Sequence, residues 1–151
     1  RKAISLICCF FGHRDTPDSI RAKLEETIRQ LIAENPDIEF MVGNQGHFDG
    51  MVFSALRKCR EDYPSLNYHV VLAYMPGQKE EYQPYEDGET FYPEGLESVP
   101  RRFAIARRND WMLKESDTVV AYVRFLGGGA GQFVQKAERQ KKRIINLADT
   151  Q

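Results

Sequence analysis

The sequence predicts an α/β fold, a Rossmann-like three-layer sandwich in which a mostly parallel sheet of about five strands lies between two layers of helices. Three observations predict it. Short β-branched and apolar segments alternate with longer segments of helical periodicity. The first apolar run, Ala3 to Phe11, has no polar alternation, which is typical of a strand buried on both faces. Finally, 151 residues with 42% hydrophobic and 28% charged residues are typical of one globular domain, here residues 1–151.

The first half of the chain contains two strand-to-helix units. Its predicted elements are a strand over 3–11, a helix from Pro17 to near Asn35, a strand over 38–42, a glycine-bearing turn over 43–49 and a helix over 50–63. Pro17 suits the first turn of a helix, where its missing N–H has no partner to lose. Pro36 ends that helix, because the residue before a proline disfavours the helical conformation.

The second half repeats the unit after a long interruption. Its predicted elements are a strand over 68–74, a helix over roughly 101–115, a strand over 117–123, a helix that follows Gly127 to Gly131 and ends near Lys142, and a strand over 143–147. The two central strands, with the sequences YHVVLAY and DTVVAYV, are rich in the β-branched and aromatic residues that favour sheets.

The interruption, residues 76–100, is predicted as a long loop insertion and is called the acidic segment below. It carries one lysine against seven acidic residues, and the aromatic residues Tyr82, Tyr85, Phe91 and Tyr92 are interleaved with them. A loop of this length in a compact domain usually has a function of its own. We expect either a lid or an oligomer contact, or else a surface insertion whose aromatic rings pack on the sheet edge.

Residues 101–151 are basic, with eleven lysines and arginines against five acidic residues, and Arg101, Arg102, Arg107 and Arg108 lie within eight positions. Two interpretations stay open. The basic face and the acidic segment pair with each other, or the arginines form a wall for a phosphorylated ligand.

Composition disfavours several classes of protein. A formal net charge of −1 argues against a nucleic-acid binder that works by bulk charge. No apolar run approaches the roughly 18 residues of a membrane span, and the run over 3–11 is too short for a leader and has no cleavage site after it. Cys8, Cys9 and Cys59 are an odd number of cysteines, so we expect core thiols in a reducing cytoplasm.

Glycine and polar residues follow each of the first four predicted strands. The carboxyl ends of these strands form the edge at which ligands bind to open parallel sheets. Two of these glycine-bearing loops, 43–49 and 127–132, lead directly into predicted helices. Such a junction offers free backbone N–H groups and the positive end of the helix dipole, which suit a phosphate. With Arg14 after the first strand, the sequence predicts a phosphorylated ligand.

The familiar phosphate and catalytic motifs are missing. The chain has no G-x-x-x-x-G-K-[ST], no G-x-S-x-G, and no complete G-x-G-x-x-G, because Gln132 stands at the last position of the glycine run. His13, His47 and His69 lie on separate elements without metal-ligand spacing, so no metal and no cofactor is predicted. His69 is expected to be a structural strand residue, whereas His13 and His47 are placed to contact a ligand or to stabilise their loops.

Four motifs occur in order along nearly the whole chain: Gly12-His13-Arg14, Gly43-x-x-Gly46-x-x-Asp49, Arg108-Asn109-x-x-Met112 followed by Ser116-Asp117, and the glycine run over 127–131. Together they resemble the SLOG superfamily, in particular its small bacterial and phage members with a Gly-His-Arg signature. That superfamily joins the Lonely Guy phosphoribohydrolases, the DNA-processing protein of natural transformation, and sensor domains that bind nucleotides derived from NAD. The resemblance implies a nucleotide-type ligand, and the family habit of dimerising through helices, together with the aromatic acidic segment, suggests a homo-oligomer.

The resemblance also implies roles for individual residues. Arg14 would lie beside a phosphate or ribose, Asp49 would cap its helix or bind a ribose hydroxyl, and Arg108 would face the pocket. The glycine run would cradle a phosphate. The predicted ligand-binding residues are Gly12, His13, Arg14, Gly43, Asn44, Gly46, Phe48, Asp49, Arg108, Asn109, Gly128, Gly129, Ala130, Gly131 and Gln132.

One departure from the family pattern bears on catalysis. The phosphoribohydrolases carry a glutamate after their glycine run that contributes to glycosidic-bond cleavage, and Gln135 stands at that position here. A neutral amide is neither a general acid nor a base near pH 7. We therefore name no catalytic residue and expect binding of an AMP-like or ADP-ribose-like ligand, possibly of the cyclic ADP-ribose type, by a sensor or sequestering protein without turnover.

Two other hypotheses stay open. One is a phosphoribohydrolase or other N-glycosidase that uses Asp49 or Glu138 as its acid. The other is a DNA-binding module that uses the arginines near residue 101, although a nucleic-acid partner is disfavoured because the acidic segment would oppose it and only Phe103 and Trp111 offer stacking.

Overall fold

A computed structural model of the protein describes residues 6–75 and 85–149 and contains a six-stranded sheet with four α-helices. The strands are β1 (Ile7–Gly12), β2 (Glu39–Val42), β3 (Asn67–Val71), β4 (Thr90–Phe91), β5 (Thr118–Tyr122) and β6 (Arg143–Asn146). The helices are α1 (Arg21–Glu34), α2 (Gly46–Asp62), α3 (Ala104–Glu115) and α4 (Gly128–Arg139). Strands and helices alternate as the sequence predicts.

All neighbouring strands are parallel, and their order across the sheet is β4-β3-β2-β1-β5-β6. β1 is central, with Cys9 opposite Met41 of β2 on one side and Val119 of β5 on the other. The chain leaves β1 towards β2 and leaves β5 towards β6, in opposite directions across the sheet. This arrangement confirms the predicted Rossmann-like fold and creates a topological switch point between β1 and β5.

The central strand is buried on both faces, as its unbroken apolar sequence predicts. Cys8 and Phe10 belong to the core on one face of the sheet, whereas Cys9 and Phe11 belong to the core on the other. All three cysteines are buried and unpaired with one another. Burial raises the pKa of the Cys9 thiol to about 12, so this group is a small apolar core residue and not a nucleophile.

In both helical layers, each helix buries one apolar stripe against the sheet. On the Cys8 side, α1 contributes Leu24, Ile28, Leu31 and Ile32, and α2 packs beside it. On the Cys9 side, α3 and α4 contribute Met112, Leu113, Phe133, Val134 and Ala137. Burial of each large apolar side chain stabilises the fold by roughly 1.5–3 kcal/mol, which fixes the helices against the sheet and positions their ends.

All four helices begin at other residues than predicted; α3 begins at Ala104 instead of near Arg101, and α4 begins at Gly128, inside the predicted glycine loop. The sequence suggests that α2 begins at Gly50, but it begins at Gly46, so that the predicted turn supplies the first helical turn. α1 begins at Arg21, after a short 3-10 turn over Asp18–Ile20. These differences arise where polar and glycine residues provide no apolar periodicity from which the start of a helix can be predicted.

The acidic segment adds a strand that the sequence does not predict. Thr90 and Phe91 form β4 and pair with Val70 and Val71 at the edge of the sheet. The prediction of irregular structure over 76–100 was therefore wrong for these two residues, because a two-residue strand takes its conformation from its neighbour and has no pattern of its own. Residues 76–84, which include Tyr82, lie outside the described residues.

The rest of the described acidic segment packs on the domain. The Tyr85 ring contacts the Phe53 ring of α2 edge to face with centroids 5.2 Å apart, and Phe91 stacks on Trp111 of α3 at 5.3 Å. Glu89 is 4% exposed and accepts hydrogen bonds from the Arg57 guanidinium. This part of the segment covers the sheet edge with its aromatic rings.

No helix in the described ranges is both long and apolar enough to cross a membrane.

Candidate functional site

A cleft of about 240 Å³ opens at the carboxyl end of β1, next to the switch point between β1 and β5. Residues from five parts of the chain line it: the end of β1 and the loop after it, the starts of α2 and α4, and one face of α3. They are Phe10, Phe11, Gly12, His13, Arg14, Gln45, Asp49, Ile105, Arg108, Asn109, Met112, Gly129, Ala130 and Phe133. In open α/β sheets, this is the place where ligands bind.

The start of α4 forms one wall of the cleft. Gly127 precedes the helix in an extended conformation, and Gly128 has a φ of +84°, a value that favours glycine. Gly129 and Ala130 follow on the cleft surface. The first N–H groups of a helix have no intrahelical acceptor and carry the positive end of its dipole, so this wall attracts an anion.

Arg108, on α3, is the largest fully buried side chain and is 1% exposed. Its guanidinium donates to the Val71 carbonyl oxygen at 2.7 Å and to Oδ1 of Asn109 at 2.7 Å, with a longer contact to Oδ1 of Asn44 at 3.4 Å. All three acceptors are neutral. Burial lowers the pKa of Arg108 below its usual range, and the Asp49 carboxylate opposes that shift.

The Nη2 atom of Arg108 has no hydrogen-bond partner among the described residues. No fully buried side-chain nitrogen or oxygen in those residues lacks a partner, so Nη2 keeps a small accessible surface on a side chain that lines the cleft. The cleft therefore contains a cation that is removed from water, lacks a paired carboxylate and keeps a free donor.

Arg14 provides a second cation at the exposed mouth of the same cleft. Its position depends on Gly46, which has a φ of +90° and where a Cβ atom would lie 2.9 Å from Cγ of Arg14. The Arg14 carbonyl accepts the N–H of His47 in the first turn of α2. The loop after β1 and the start of α2 are thus joined through the backbone.

Asp49 lies in the first turn of α2 and faces both arginines. Gln45 is at the N-cap position of α2, but its side chain makes no capping hydrogen bond. Instead, Oδ2 of Asp49 accepts the Gln45 N–H at 2.8 Å and so caps the start of the helix. Its Oδ1 has no hydrogen-bond partner among the described residues. Burial raises the pKa of Asp49 to about 6, while the Gln45 N–H, Arg108 and Arg14 favour the charged form.

His13 connects the two loops at the switch point. Its Nε2 accepts the N–H of Arg124 at 3.0 Å, and its ring stacks on Phe125 with centroids 4.3 Å apart. Burial lowers the pKa of His13, so that the ring is neutral and Nδ1 carries its proton. Although His13 lines the cleft, its acceptor atom is already used to stabilise the loop after β5.

Eight of the predicted ligand-binding residues line the cleft: Gly12, His13, Arg14, Asp49, Arg108, Asn109, Gly129 and Ala130. The other seven do not line it and lie in the adjoining loop after β2 and the starts of α2 and α4: Gly43, Asn44, Gly46, Phe48, Gly128, Gly131 and Gln132. Phe48 is 1% exposed, and its ring packs against Gly12, where a side chain would collide with it. Gly43 makes room for the Arg108 guanidinium, since a Cβ atom there would lie 2.8 Å from Cζ.

Six lining residues are absent from the predicted ligand-binding set: Phe10, Phe11, Gln45, Ile105, Met112 and Phe133. Ile105 was detectable, because it lies three residues before Arg108 and four residues before Asn109. At this spacing, its side chain is on the same face of α3 as theirs. Met112, expected in the core, is 1% exposed and also lines the base of the cleft. Gln45 and Phe133 carry no sequence signal of this kind.

The arginine cluster divides between two environments. Arg108 reaches the cleft, whereas Arg101, Arg102 and Arg107 are exposed. The described ion pairs of the acidic segment join Glu86 and Glu89 to Arg57 and Arg60 of α2. The described ion pairs of the acidic segment are thus made with α2 and not with the basic region, and from the cluster over 101–108 Arg108 alone lines the cleft.

The two alternative acids differ in position. Asp49 lines the cleft, but Glu138 is exposed on the third turn of α4 and lies outside the lining, as does Gln135. In the described parts of the chain, no group of three or more histidine, cysteine or acidic side chains is arranged to hold a metal ion. Asp49 therefore is the one acidic group among the described lining residues.

We predict that Gly131→Ala destabilises the protein by about 2 kcal/mol, because a Cβ atom at this position would collide with the Leu126 carbonyl group, which is backbone. Gly129→Ala is the matched control, since a Cβ atom there meets nothing within 4 Å. Urea unfolding of both variants measures the difference. Equal stabilities would contradict the close packing of the glycine run on its own loop.

Comparisons with models of known protein families and with curated proteins give no match to this chain. The resemblance to the SLOG superfamily thus stays a prediction from the four motifs.

Proposed function

We propose that the cleft binds a phosphorylated, nucleotide-derived ligand and that the protein acts as a sensor or sequestering protein without turnover. The observation that supports this most directly is Arg108, a buried cation whose protein partners are all neutral. A buried charge is costly unless it is paired. A phosphate between Arg108, Arg14 and the start of α4 would supply the missing negative charge and accept the free N–H groups.

The size of the cleft favours a small ligand. Its volume of about 240 Å³ lies below the roughly 300–1,000 Å³ of typical small-molecule sites. The phosphate and ribose of an AMP-like ligand match this space better than a whole ADP-ribose-like ligand does. Ile105, Met112 and Phe133 give the cleft an apolar floor against which a sugar packs.

A thermal-shift screen with AMP, ADP-ribose and cyclic ADP-ribose isomers tests the proposal. At about 100 times its dissociation constant, a ligand adds about 2.7 kcal/mol to the free energy of unfolding, which raises the midpoint of a chain of this size by several degrees. We expect the largest shift with AMP and recovery of the intact nucleotide by mass spectrometry. No shift with any of these nucleotides would refute nucleotide binding.

One observation favours a second candidate, an N-glycosidase. Asp49 lines the cleft, has a free Oδ1 atom and has its pKa raised to about 6, so that part of it is protonated near neutral pH as a general acid requires. In the same mixtures, this candidate predicts free adenine, formed more slowly as the pH rises above 6 and lost in Asp49→Asn. Intact AMP at every pH would exclude it.

A further inference from the structure

Phe125 is exposed in an unusual way. Its side chain is 56% exposed, and yet one face of its ring lies flat on the His13 ring, with centroids 4.3 Å apart and an angle of 16° between the planes. Here, one face of the ring is covered, and the exposed area belongs to the rest of the ring.

Hydrogen bonds to Asn146 and to His13 fix the backbone of the two residues that precede Phe125. Next to Phe125, the N–H of Arg124 donates to Nε2 of His13. One residue earlier, the N–H of Val123 donates to Oδ1 of Asn146 at 3.1 Å, and Nδ2 of Asn146 donates to the Val123 carbonyl oxygen at 3.0 Å. His13 itself is 8% exposed. The loop after β5 is therefore fixed to β6 on one side and to the cleft on the other.

The ring lies at the rim of the cleft. His13, on which it stacks, lines the cleft, and so does Gly129, four residues after Phe125 in the chain. Phe125 is thus near the start of α4, where the proposed phosphate lies, but outside the lining. A group that extends from that phosphate out of the small cleft past His13 would approach this ring.

We propose that Phe125 is the stacking platform for the base of the ligand, so that the site selects nucleotides over sugar phosphates. The inference rests on the proposed function. Each nucleobase has a π-face, and stacking on an aromatic side chain accepts different bases. Because the Phe125 ring is already oriented, little side-chain entropy is lost when a base stacks on it.

The test compares AMP with ribose 5-phosphate, which lacks the base. In calorimetry, Phe125→Ala should weaken AMP binding about tenfold, and Phe125→Leu should do the same because it is apolar but not aromatic. Phe125→Trp should keep the affinity of the original protein. Competition against AMP should show that the affinity for ribose 5-phosphate changes less than threefold in Phe125→Ala.

Phe103→Ala is the matched control, because Phe103 is 49% exposed and its ring contacts Arg102, which does not line the cleft. It should leave AMP binding unchanged. The stacking role is overturned if Phe125→Ala binds AMP as the original protein does, or if AMP and ribose 5-phosphate weaken equally. A fall in mass by light scattering in Phe125→Ala, with AMP binding retained, would assign the ring to contact with a second copy. If the original protein binds neither probe, the proposed function itself fails.

Discussion

Replacing Arg108 by methionine is expected to weaken AMP binding by about 100-fold and to leave the protein folded. The guanidinium is the buried cation of the cleft, and removal of one member of a buried, hydrogen-bonded charge pair costs about 2–5 kcal/mol of binding free energy. Methionine has a similar length and no charge. In the proposed complex, the phosphate would then enter a site with one exposed cation, Arg14.

The variant should stay folded because two effects on stability oppose each other. The Val71 carbonyl oxygen loses its 2.7 Å hydrogen bond from Nη1, which costs about 1–3 kcal/mol. Removal of a buried charge without a paired carboxylate is stabilising by a similar amount. Thermal unfolding without ligand measures the balance, and we expect a midpoint within a few degrees of that of the original protein.

Two further variants separate the charge from its geometry. Arg108→Lys keeps the charge but loses the planar fork, so we expect an intermediate affinity. Arg102→Met removes an exposed arginine that lies over the Phe103 ring and outside the cleft, and it should not change binding. If Arg108→Met binds AMP as tightly as Arg102→Met does, the cleft is not the phosphate site.

Glu89→Gln is expected to destabilise the protein by about 3 kcal/mol. The Glu89 carboxylate is buried at the junction of the acidic segment, α2 and β3. It accepts two hydrogen bonds from Arg57, at 2.7 and 2.8 Å, one from the Tyr68 hydroxyl at 2.6 Å and one from the N–H of Glu86 at 2.7 Å. A neutral amide removes the negative charge that pairs with the Arg57 guanidinium at 2.7 Å and presents a donor group to other donors.

The same group should make stability depend on acid pH. The Arg57 guanidinium, followed by the Tyr68 hydroxyl and the Glu86 N–H, lowers the pKa of Glu89 from 4.5 to about 2, whereas burial opposes the shift. A folded-state pKa below the unfolded value means that unfolding takes up a proton. The stabilisation, about 3 kcal/mol, is therefore complete above pH 4.5 and is lost as the pH falls towards 2.

Asp87→Asn provides the control, because Asp87 is exposed in the same segment, two residues away. Urea unfolding at pH 7 and at pH 3 should show a loss for Glu89→Gln that is large at pH 7 and smaller at pH 3. Asp87→Asn should follow the original protein at both. The same loss at both pH values would show that the charge of Glu89 does not stabilise the edge of the sheet.

The sequence was sufficient for the architecture because hydrophobic periodicity is a local property. The unbroken run that contains Cys8 to Phe11 required burial on both faces, and alternation with helices required parallel strands. Strand β4 could not be predicted, since its two residues pair only because β3 presents an open edge. Likewise, the start of α2 lies in glycine and polar residues, where helix formation depends on the Asp49 carboxylate that caps it.

The site was predictable in position but not in detail. Strand ends and glycine loops located Gly12, Arg14, Asp49 and Gly129, because the carboxyl ends of parallel strands converge at one edge. The sequence grouped Arg108 with three neighbouring arginines, and only helix phase and packing separate the one that is buried from those that are exposed. Phe48, in the middle of a predicted loop, proved to be core because its ring fills the space over Gly12.

The sequence by itself determined the fold class, the buried central strand and the sheet edge at which the cleft lies. The tertiary structure alone decided that Arg108 is a buried cation with neutral partners, that His13 is neutral and bonded to the next loop, and that the acidic segment joins α2 through Glu89. The physical reason is the difference in sequence range between the interactions that set secondary structure and those that set the environment of a side chain. Periodicity and turn chemistry act over a few residues, whereas the charge state and the partners of a side chain depend on residues distant in sequence that packing brings within hydrogen-bond distance.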